Sequence, residues 1–435
     1  MNSRVLKNAS WIIICKVIQA VLALVINMLT ARYLGPSNYG LITYAASLVA
    51  FATPIMQLGI PNILVQEIVY KPEREGEILG TSILLSMISS VFCIAGVTAI
   101  AFALNPDEPV TVITCLLYSL LLFFQALEMI EYWFQAKLLS KYTSLISLFV
   151  YFAVAAYKIW LLVTKKSIYW FAVSNALDDG LIAIAAIIVY RRIGGGRFRF
   201  SSELALSMFN KSKHYIVSSM MVTIFAQTDK IMLKQMLDET ATGYYGAAVA
   251  CAALTGFIFA ALIDSFRPSI FEGLKISEDV FAHRLTLLYS IIIYLSLAQS
   301  VAMTVLARLV IWILYGASYA PAAGALRIVV WYTTFSYIGS VRNIWILANN
   351  KQKYLWQINL SGALANVLLN WLLIPLIGIH GAALASLITQ FFTNVITGYI
   401  LAPIRGNNAI MIRSLDPRIL TEAIKRMRRK EKAQD

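Results

Sequence analysis

The stretch ASWIIICKVIQAVLALVINMLTA, residues 9–31, holds one charged side chain, Lys16, in twenty-three positions. As a helix, a run of that length and apolarity covers the roughly 30 Å of hydrocarbon in a bilayer. It is too long for the apolar core of a signal peptide and no small-residue cleavage site follows it, so it reads as a retained span. The pattern recurs at 40–60, 78–104, 110–131, 143–163 and 168–190, and again at 214–234, 243–263, 286–306, 324–347, 355–375 and 379–401. Membrane strands would show alternation in segments of about ten residues, and hydrocarbon tolerates no unpaired backbone. The expectation is an all-α integral membrane protein with about twelve transmembrane helices. Composition agrees: of 435 residues, 59% are hydrophobic and 13% charged, against about 25% charged in soluble domains.

The net charge of +14 is a matter of placement. With the N-terminus in the cytoplasm, inner segments hold 26 of the 36 Lys and Arg, while the outer loops hold Arg32, Lys165, Lys166 and Arg308. That asymmetry puts both termini in the cytoplasm and makes the charge a topology signal, with no nucleic-acid partner expected. Trp11, Trp133, Trp345 and Trp356 fall near inner ends of spans and Trp160, Trp170, Trp312, Trp331 and Trp371 near outer ends, as aromatic belts do. The tail, residues 402–435, has nine Lys and Arg with Ile410, Ile412, Leu415, Ile419, Leu420, Ile424 and Met427. It reads as a basic amphipathic helix on anionic inner-leaflet lipid, or simply as a topology anchor. Cys15, Cys93, Cys115 and Cys251 all lie in apolar stretches without metal or disulfide spacing, so no metal or cofactor is expected.

The chain repeats itself. A shift of 212 residues pairs Trp133, Ala136, Lys141 and Tyr142 with Trp345, Ala348, Lys353 and Tyr354, and a shift of 206 pairs Tyr39-Gly40 with Tyr245-Gly246. This suggests a six-helix bundle over residues 1–190, a flexible basic linker over 191–213, a second six-helix bundle over 214–401 and the tail over 402–435. Six is even, so the repeats are parallel, and parallel repeats enclose a central cavity whose sides rock in alternating access.

Ionisable groups inside spans need a partner or a water-filled cavity. Lys16, Gln19, Ala23 and Asn27 form one stripe of the first helix, either cavity lining or a hydrogen-bonded helix seam. Asn175, Asp178 and Asp179 stand near mid-depth in the sixth span. Asp178 and Asp179 are candidates for coupling a proton or cation, or else for a structural ion pair with Lys158 or Lys16. Lys230, beside Asp229 in the seventh span, is a candidate anion contact. Lys234 is expected to snorkel to the outer interface, and Glu128, Glu131, Asp264 and Arg267 to mark span boundaries. There is no G-x-x-x-x-G-K-S/T phosphate loop, no H-E-x-x-H and no nucleophile elbow, and an enzyme is not expected.

Four stretches carry a resemblance. They are Thr30-Ala-Arg-Tyr-Leu-Gly-Pro-Ser-Asn-Tyr-Gly40; Asp229-Lys-Ile-Met-Leu233 followed by Gly243-Tyr-Tyr-Gly-Ala-Ala248; Leu314-Tyr-Gly-Ala-Ser-Tyr-Ala-Pro-Ala322; and Asn370-Trp-Leu-Leu-Ile-Pro375 with Gly378-Ile-His-Gly-Ala-Ala383. In this order, at these helix ends, they resemble the bacterial O-antigen and polysaccharide-unit flippases of the multidrug/oligosaccharidyl-lipid/polysaccharide exporter (MOP) superfamily. The resemblance runs from about Ala9 to Ile400. It implies a cell-membrane transporter of oligosaccharide units on undecaprenyl diphosphate, moved from inner to outer leaflet, with a cationic cavity for the diphosphate. It also implies possible H+ or Na+ coupling and possible association with other polysaccharide-assembly proteins. Arg32, Asp229 and Lys230 stand in the matched motifs. Lys16, Asn27, Lys158, Asp178 and Asp179 come from depth and face alone. The nearest rival is a multidrug-and-toxin-extrusion exporter of the same fold, whose cationic drugs would favour an acidic cavity. A membrane polymerase or ligase would need catalytic groups on a large outer loop, and the largest outer segment, 307–323, is short and apolar.

Overall fold

A computed structural model describes residues 3–419 and 421, giving the backbone alone for residues 3–14, 16 and 17. Helices carry the fold, and there is no strand among the described residues. The chain divides into two compact units, Met1–Gly243 and Tyr244–Asp435.

The first unit contains α1 (Ser3–Met56), α2 (Pro61–Tyr70), α3 (Glu75–Leu104), α4 (Pro109–Ser119), α5 (Leu121–Leu127), α6 (Glu131–Ala136), α7 (Ser140–Val163), α8 (Ile168–Arg192) and α9 (Ser202–Met236). It ends in the first turns of α10 (Glu239–Ala253). The first two expected spans are thus one 54-residue helix, broken at Gly35 (φ 71°, ψ 172°). A positive φ suits glycine because it has no Cβ, and Pro36 lacks the N–H that would continue the ladder. The stretch expected to be a free linker is partly structured. The Tyr190 hydroxyl donates to the Gly196 carbonyl (2.8 Å), the Arg199 amide donates to the Gly76 carbonyl (3.2 Å), and α9 starts at Ser202. Ser201 caps α9 by accepting from the Leu204 amide, the usual service of a serine at that position. One core of this unit packs Trp133 edge-on to Tyr190 with ring centroids 4.8 Å apart, among Ile60, Leu64, Ile78 and Leu204.

The second unit continues through α11 (Gly256–Ile276), α12 (Glu278–Tyr315), α13 (Ala322–Ala348), α14 (Leu355–Ile377) and α15 (Ile379–Phe391). A π turn at Phe392–Ile396 leads to α16 (Thr397–Ile400) and α17 (Arg405–Arg413). Ser277 caps α12 and Glu278 and Asp279 follow in its first turn, where the helix dipole favours acids. The core here joins Phe259, stacked on Tyr337 at 4.0 Å, to Leu285, Tyr289, Ile344 and Trp345.

Nine helices among the described residues are long and apolar enough to cross a membrane, or ten when the pair α10 and α11, bent by 40°, is taken as one. The expected count of twelve differs for physical reasons. Two expected spans share α1, α10 and α11 are broken short of one straight span, and α13 is diluted by Arg327, Arg342 and a polar middle of hydroxyls and tyrosines.

Two expectations about surface placement change. Trp133 and Trp345 are buried core residues and do not face headgroups, whereas Trp160, Trp170, Trp312, Trp356 and Trp371 are exposed as belts require. The start of the tail folds onto its unit. Ile410 and Met411 are buried, the Ser290 hydroxyl donates to the Ser414 carbonyl (2.8 Å) and Tyr294 to that of Leu415 (2.6 Å). Ile412 and Leu415 are exposed, while Leu420, Ile424 and Met427 lie outside the described residues.

Candidate functional site

Asp178 and Asp179 sit on α8, Lys158 faces them from α7, and Gln125 and Glu128 approach from α5 and the turn after it. Gly180 makes the approach possible: a Cβ there would meet the Phe124 ring at 3.0 Å. Lys158 Nζ donates to Asn175 Oδ1 (3.4 Å) and stays in electrostatic range of both aspartates. Asp178 Oδ1, Glu128 Oε1 and Gln125 Oε1 are buried atoms without a hydrogen-bond partner. Buried unpaired carboxylate oxygens are costly, and a proton or a cation at this cluster would relieve that cost. Glu128 was expected at a boundary. Its sequence depth is that of a span end, and only the packing of α5 on α8 turns it towards Asp179. No group of three or more His, Cys, Asp or Glu among the described residues is arranged to hold a metal ion.

A second group lies where α9 meets α1. Lys230 Nζ donates to Gln227 Oε1 (2.8 Å), and the Ser47 hydroxyl on α1 donates to the same oxygen (3.3 Å). Asp229, the preceding residue of α9, is buried and lies within electrostatic range of Lys230. Arg32 and Asn27 on α1 are exposed, and Gln19 and Ala23 are half-buried. Tyr33, next to Arg32, donates its hydroxyl to the Lys166 carbonyl (3.0 Å) and packs on Phe171, which ties this part of α1 to the turn after α7 and to α8. The Lys16 side chain lies outside the described residues. Thus the structure brings together Lys158, Asp178 and Asp179, and Lys230 with Asp229 beside it in sequence. Arg32 and Asn27 stand on the exposed surface of α1.

Lys234 does not snorkel. Its side chain is 3% exposed and its Nζ meets Glu108 Oε2 (2.7 Å) and Glu239 Oε2 (3.3 Å). The Thr111 hydroxyl donates to Glu108 (2.6 Å), and Gln235, Asn105 and Tyr44 bond one another nearby. The hydrogen bond from Lys234, then that from Thr111, holds the Glu108 carboxyl below its ordinary value of 4.5. A carboxyl depressed on folding adds stability that is complete above that value and is lost as pH falls through the folded one. Glu108 is 45% exposed, so screening keeps the effect small. The melting temperature of Glu108→Gln in detergent is expected to lie ~2–6 °C below wild type at neutral pH, with the gap closing as pH drops below 4.5. A gap that does not change with pH would contradict this assignment.

The motif glycines explain how α1 and α10 meet. A Cβ on Gly40 would stand 1.7 Å from the Glu239 carbonyl oxygen, and one on Gly243 would stand 2.0 Å from that of Pro36. The two motifs therefore form one backbone-to-backbone contact, with Ser37 donating to Glu239 Oε1 (3.2 Å).

In the second unit, Arg342 is the one charged residue buried among the described residues, at 5% exposure. It donates to the Thr393 carbonyl, stands near Tyr289, and its Nε is unpaired. Sequence reasoning passed over it, although an arginine inside the expected span 324–347 was the available signal.

No curated protein matches the sequence. Among solved structures, an inward-closed lipid II flippase MurJ aligns with a TM-score of 0.68 at 15% identity, covering 95% of this chain and 92% of that one. An inward-facing multidrug resistance MATE transporter of the MOP superfamily aligns at 0.64 and 13% identity, covering 90% and 95%. A MATE protein in a bent conformation aligns at 0.53 and 12%, covering 94% and 97%. Identities this low establish a shared fold alone, while the nine or ten long apolar helices among the described residues make the chain a multi-pass membrane protein. The model of the family described as polysaccharide biosynthesis protein matches residues 5–273, more than half of the chain, and the protein belongs to that family.

Proposed function

We infer that the protein is a flippase that moves undecaprenyl-diphosphate-linked oligosaccharide units from the cytoplasmic to the outer leaflet of the bacterial cell membrane, for cell-surface polysaccharide synthesis. The observation that carries this reading is the family match over residues 5–273 in a chain with a multi-pass MOP fold. Sugar hydroxyls in bare hydrocarbon would lose every hydrogen bond, so the head group needs a polar path. In this reading Lys230, Lys158, Lys16 and Arg32 meet the diphosphate and Asn27 the sugars. Asp178, Asp179 and Asp229 carry a coupling H+ or Na+. Two parallel six-helix repeats rock about the cavity, both termini are cytoplasmic, and the basic tail rests on the anionic inner leaflet. Other polysaccharide-assembly proteins are natural partners.

The test is to deplete the protein in its host and measure which leaflet holds the lipid-linked oligosaccharide. Accumulation in the inner leaflet, relieved by restoring the protein, is the expected result. An unchanged distribution with altered sensitivity to cationic drugs would replace this reading with the drug exporter, which the MATE likeness and the acidic cluster on α8 favour.

A further inference from the structure

From Val280 to Leu415 the sequence contains no aspartate and no glutamate. That stretch covers nearly all of α12 and everything from α13 to α17, yet it carries six arginines and two lysines, so these cations must find other partners. Several rest on neutral oxygens within the second unit. Arg284 donates to Ser269, and Arg342, Lys351 and Arg405 donate to the carbonyls of Thr393, Pro403 and Tyr399. Arg308 is different: it is exposed and makes no hydrogen bond or ion pair among the described residues. Glu278 and Asp279 begin the same helix, about 43 Å away at the rise of an α-helix. Asp264 on α11 is already paired with Arg267 (3.0 Å).

Arg308 lines a groove of about 510 Å³. Val305, Leu309 and Trp312 line it too, and spacings of three and four residues put them with Arg308 on one face of α12. Val305 is 73% and Trp312 62% exposed. Gly316, at φ 87°, ends the helix, and a Cβ there would meet nothing within 4 Å. With the small side chains of Ala317 and Ala320 beyond it, the end of the groove stays open.

Exposed apolar side chains on a spanning helix belong against hydrocarbon. Arg308 lies two turns inside the end of α12 at Tyr315, a depth from which a long basic side chain reaches the headgroups. Its guanidinium needs an anion there, and this part of the chain supplies none. A phospholipid supplies a phosphate, whose oxygens match the planar guanidinium fork, and an acyl chain for the apolar wall below. A zwitterionic head also brings an ammonium, which would sit beside Arg308 with no carboxylate to receive it. A head with net negative charge brings no such group, so the lack of acids favours an anionic lipid.

We propose that this groove binds an anionic phospholipid, with its phosphate on Arg308 and an acyl chain along Val305 and Leu309. The test places the full-length protein in nanodiscs of equal parts phosphatidylglycerol and phosphatidylethanolamine, with Leu309 replaced by photoreactive benzoylphenylalanine. Mass spectrometry then gives the ratio of the two lipids among the adducts. The same probe at Phe92, exposed on α3 in the first unit, gives the ratio for bulk lipid. At position 309 the ratio is expected to favour phosphatidylglycerol about threefold over that reference. Arg308→Gln is expected to return it to the bulk value, while Arg327→Gln, an exposed arginine on α13 that does not line the groove, leaves it unchanged. A bulk ratio in the protein with Arg308 intact would overturn the proposal, as would an enrichment that survives Arg308→Gln. An equal fall in Arg327→Gln would also overturn it, by assigning the preference to diffuse positive charge. The labelling is done without any oligosaccharide, so its outcome is independent of what the protein transports.

Discussion

Alanine at position 40 is expected to remove most of the folded protein, and valine to do scarcely more. The offending atom is Cβ itself, which would sit 1.7 Å from the Glu239 carbonyl oxygen and 2.9 Å from the Gly243 amide nitrogen. Both are backbone atoms, so no side-chain rotation relieves the clash and the helices must separate. Overpacking typically costs ~1–3 kcal/mol, and contact with backbone puts Gly40→Ala at the upper end or beyond. Gly243→Ala, facing Pro36 across the same contact, is expected to behave alike. The check is the monodisperse yield of a fluorescent fusion on size exclusion, together with its melting temperature. Gly96→Ala, with open space around it, should match wild type in that assay. Wild-type yield and melting for Gly40→Ala would show that α1 and α10 do not meet as described.

Lys230→Gln is expected to slow translocation at least tenfold while leaving accumulation and melting temperature near wild type. The change retains a hydrogen-bonding chain that can still reach Gln227, and it removes only the charge. A charge-assisted bond to a diphosphate oxygen is worth about 1.5–3 kcal/mol more than none, or about ten- to a hundredfold in an equilibrium. The measurement is inner-to-outer transfer of a fluorescent polyprenyl-linked oligosaccharide in proteoliposomes. Full activity in a normally folded Lys230→Gln protein would remove this residue from the diphosphate site.

Much of this architecture was legible because a bilayer imposes one rule on every residue of a span. The run at 9–31 contains one charge because hydrocarbon allows little more, and the helical class follows from backbone pairing alone. What could not be read were relations between distant residues. Lys234 looked like a snorkelling lysine because its carboxylate partners lie elsewhere: Glu108 is in the turn between α3 and α4 and Glu239 begins α10. Two acids at span ends on the expected outer side were the available clue. Glu128 looked like a boundary charge for the same reason, since nothing in the sequence announces that Gly180 lets α8 close on Phe124. Trp133 and Trp345 sit at depths where tryptophan usually faces headgroups, and only tertiary packing distinguishes a belt residue from a core one. Gly40 and Gly243 were visible as motif positions, but neither motif says that it touches the other.

The π turn at Phe392–Ile396 has a bearing on how this chain tolerates length changes. Such a turn holds one residue more than an α turn, the mark a helix keeps after a single-residue insertion. The wider turn takes carbonyls out of the regular ladder, and these have found other donors: Arg342 serves Thr393, and the Asn408 amide serves Val395 at 3.0 Å. The irregularity is thereby fastened from two sides, by α13 and by α17. Deleting one residue here would not simply restore a regular helix. It would turn everything beyond it by about 100°, swinging Gly398 off Asn408 and stranding both donors, so an insertion once accepted at this point has become hard to reverse.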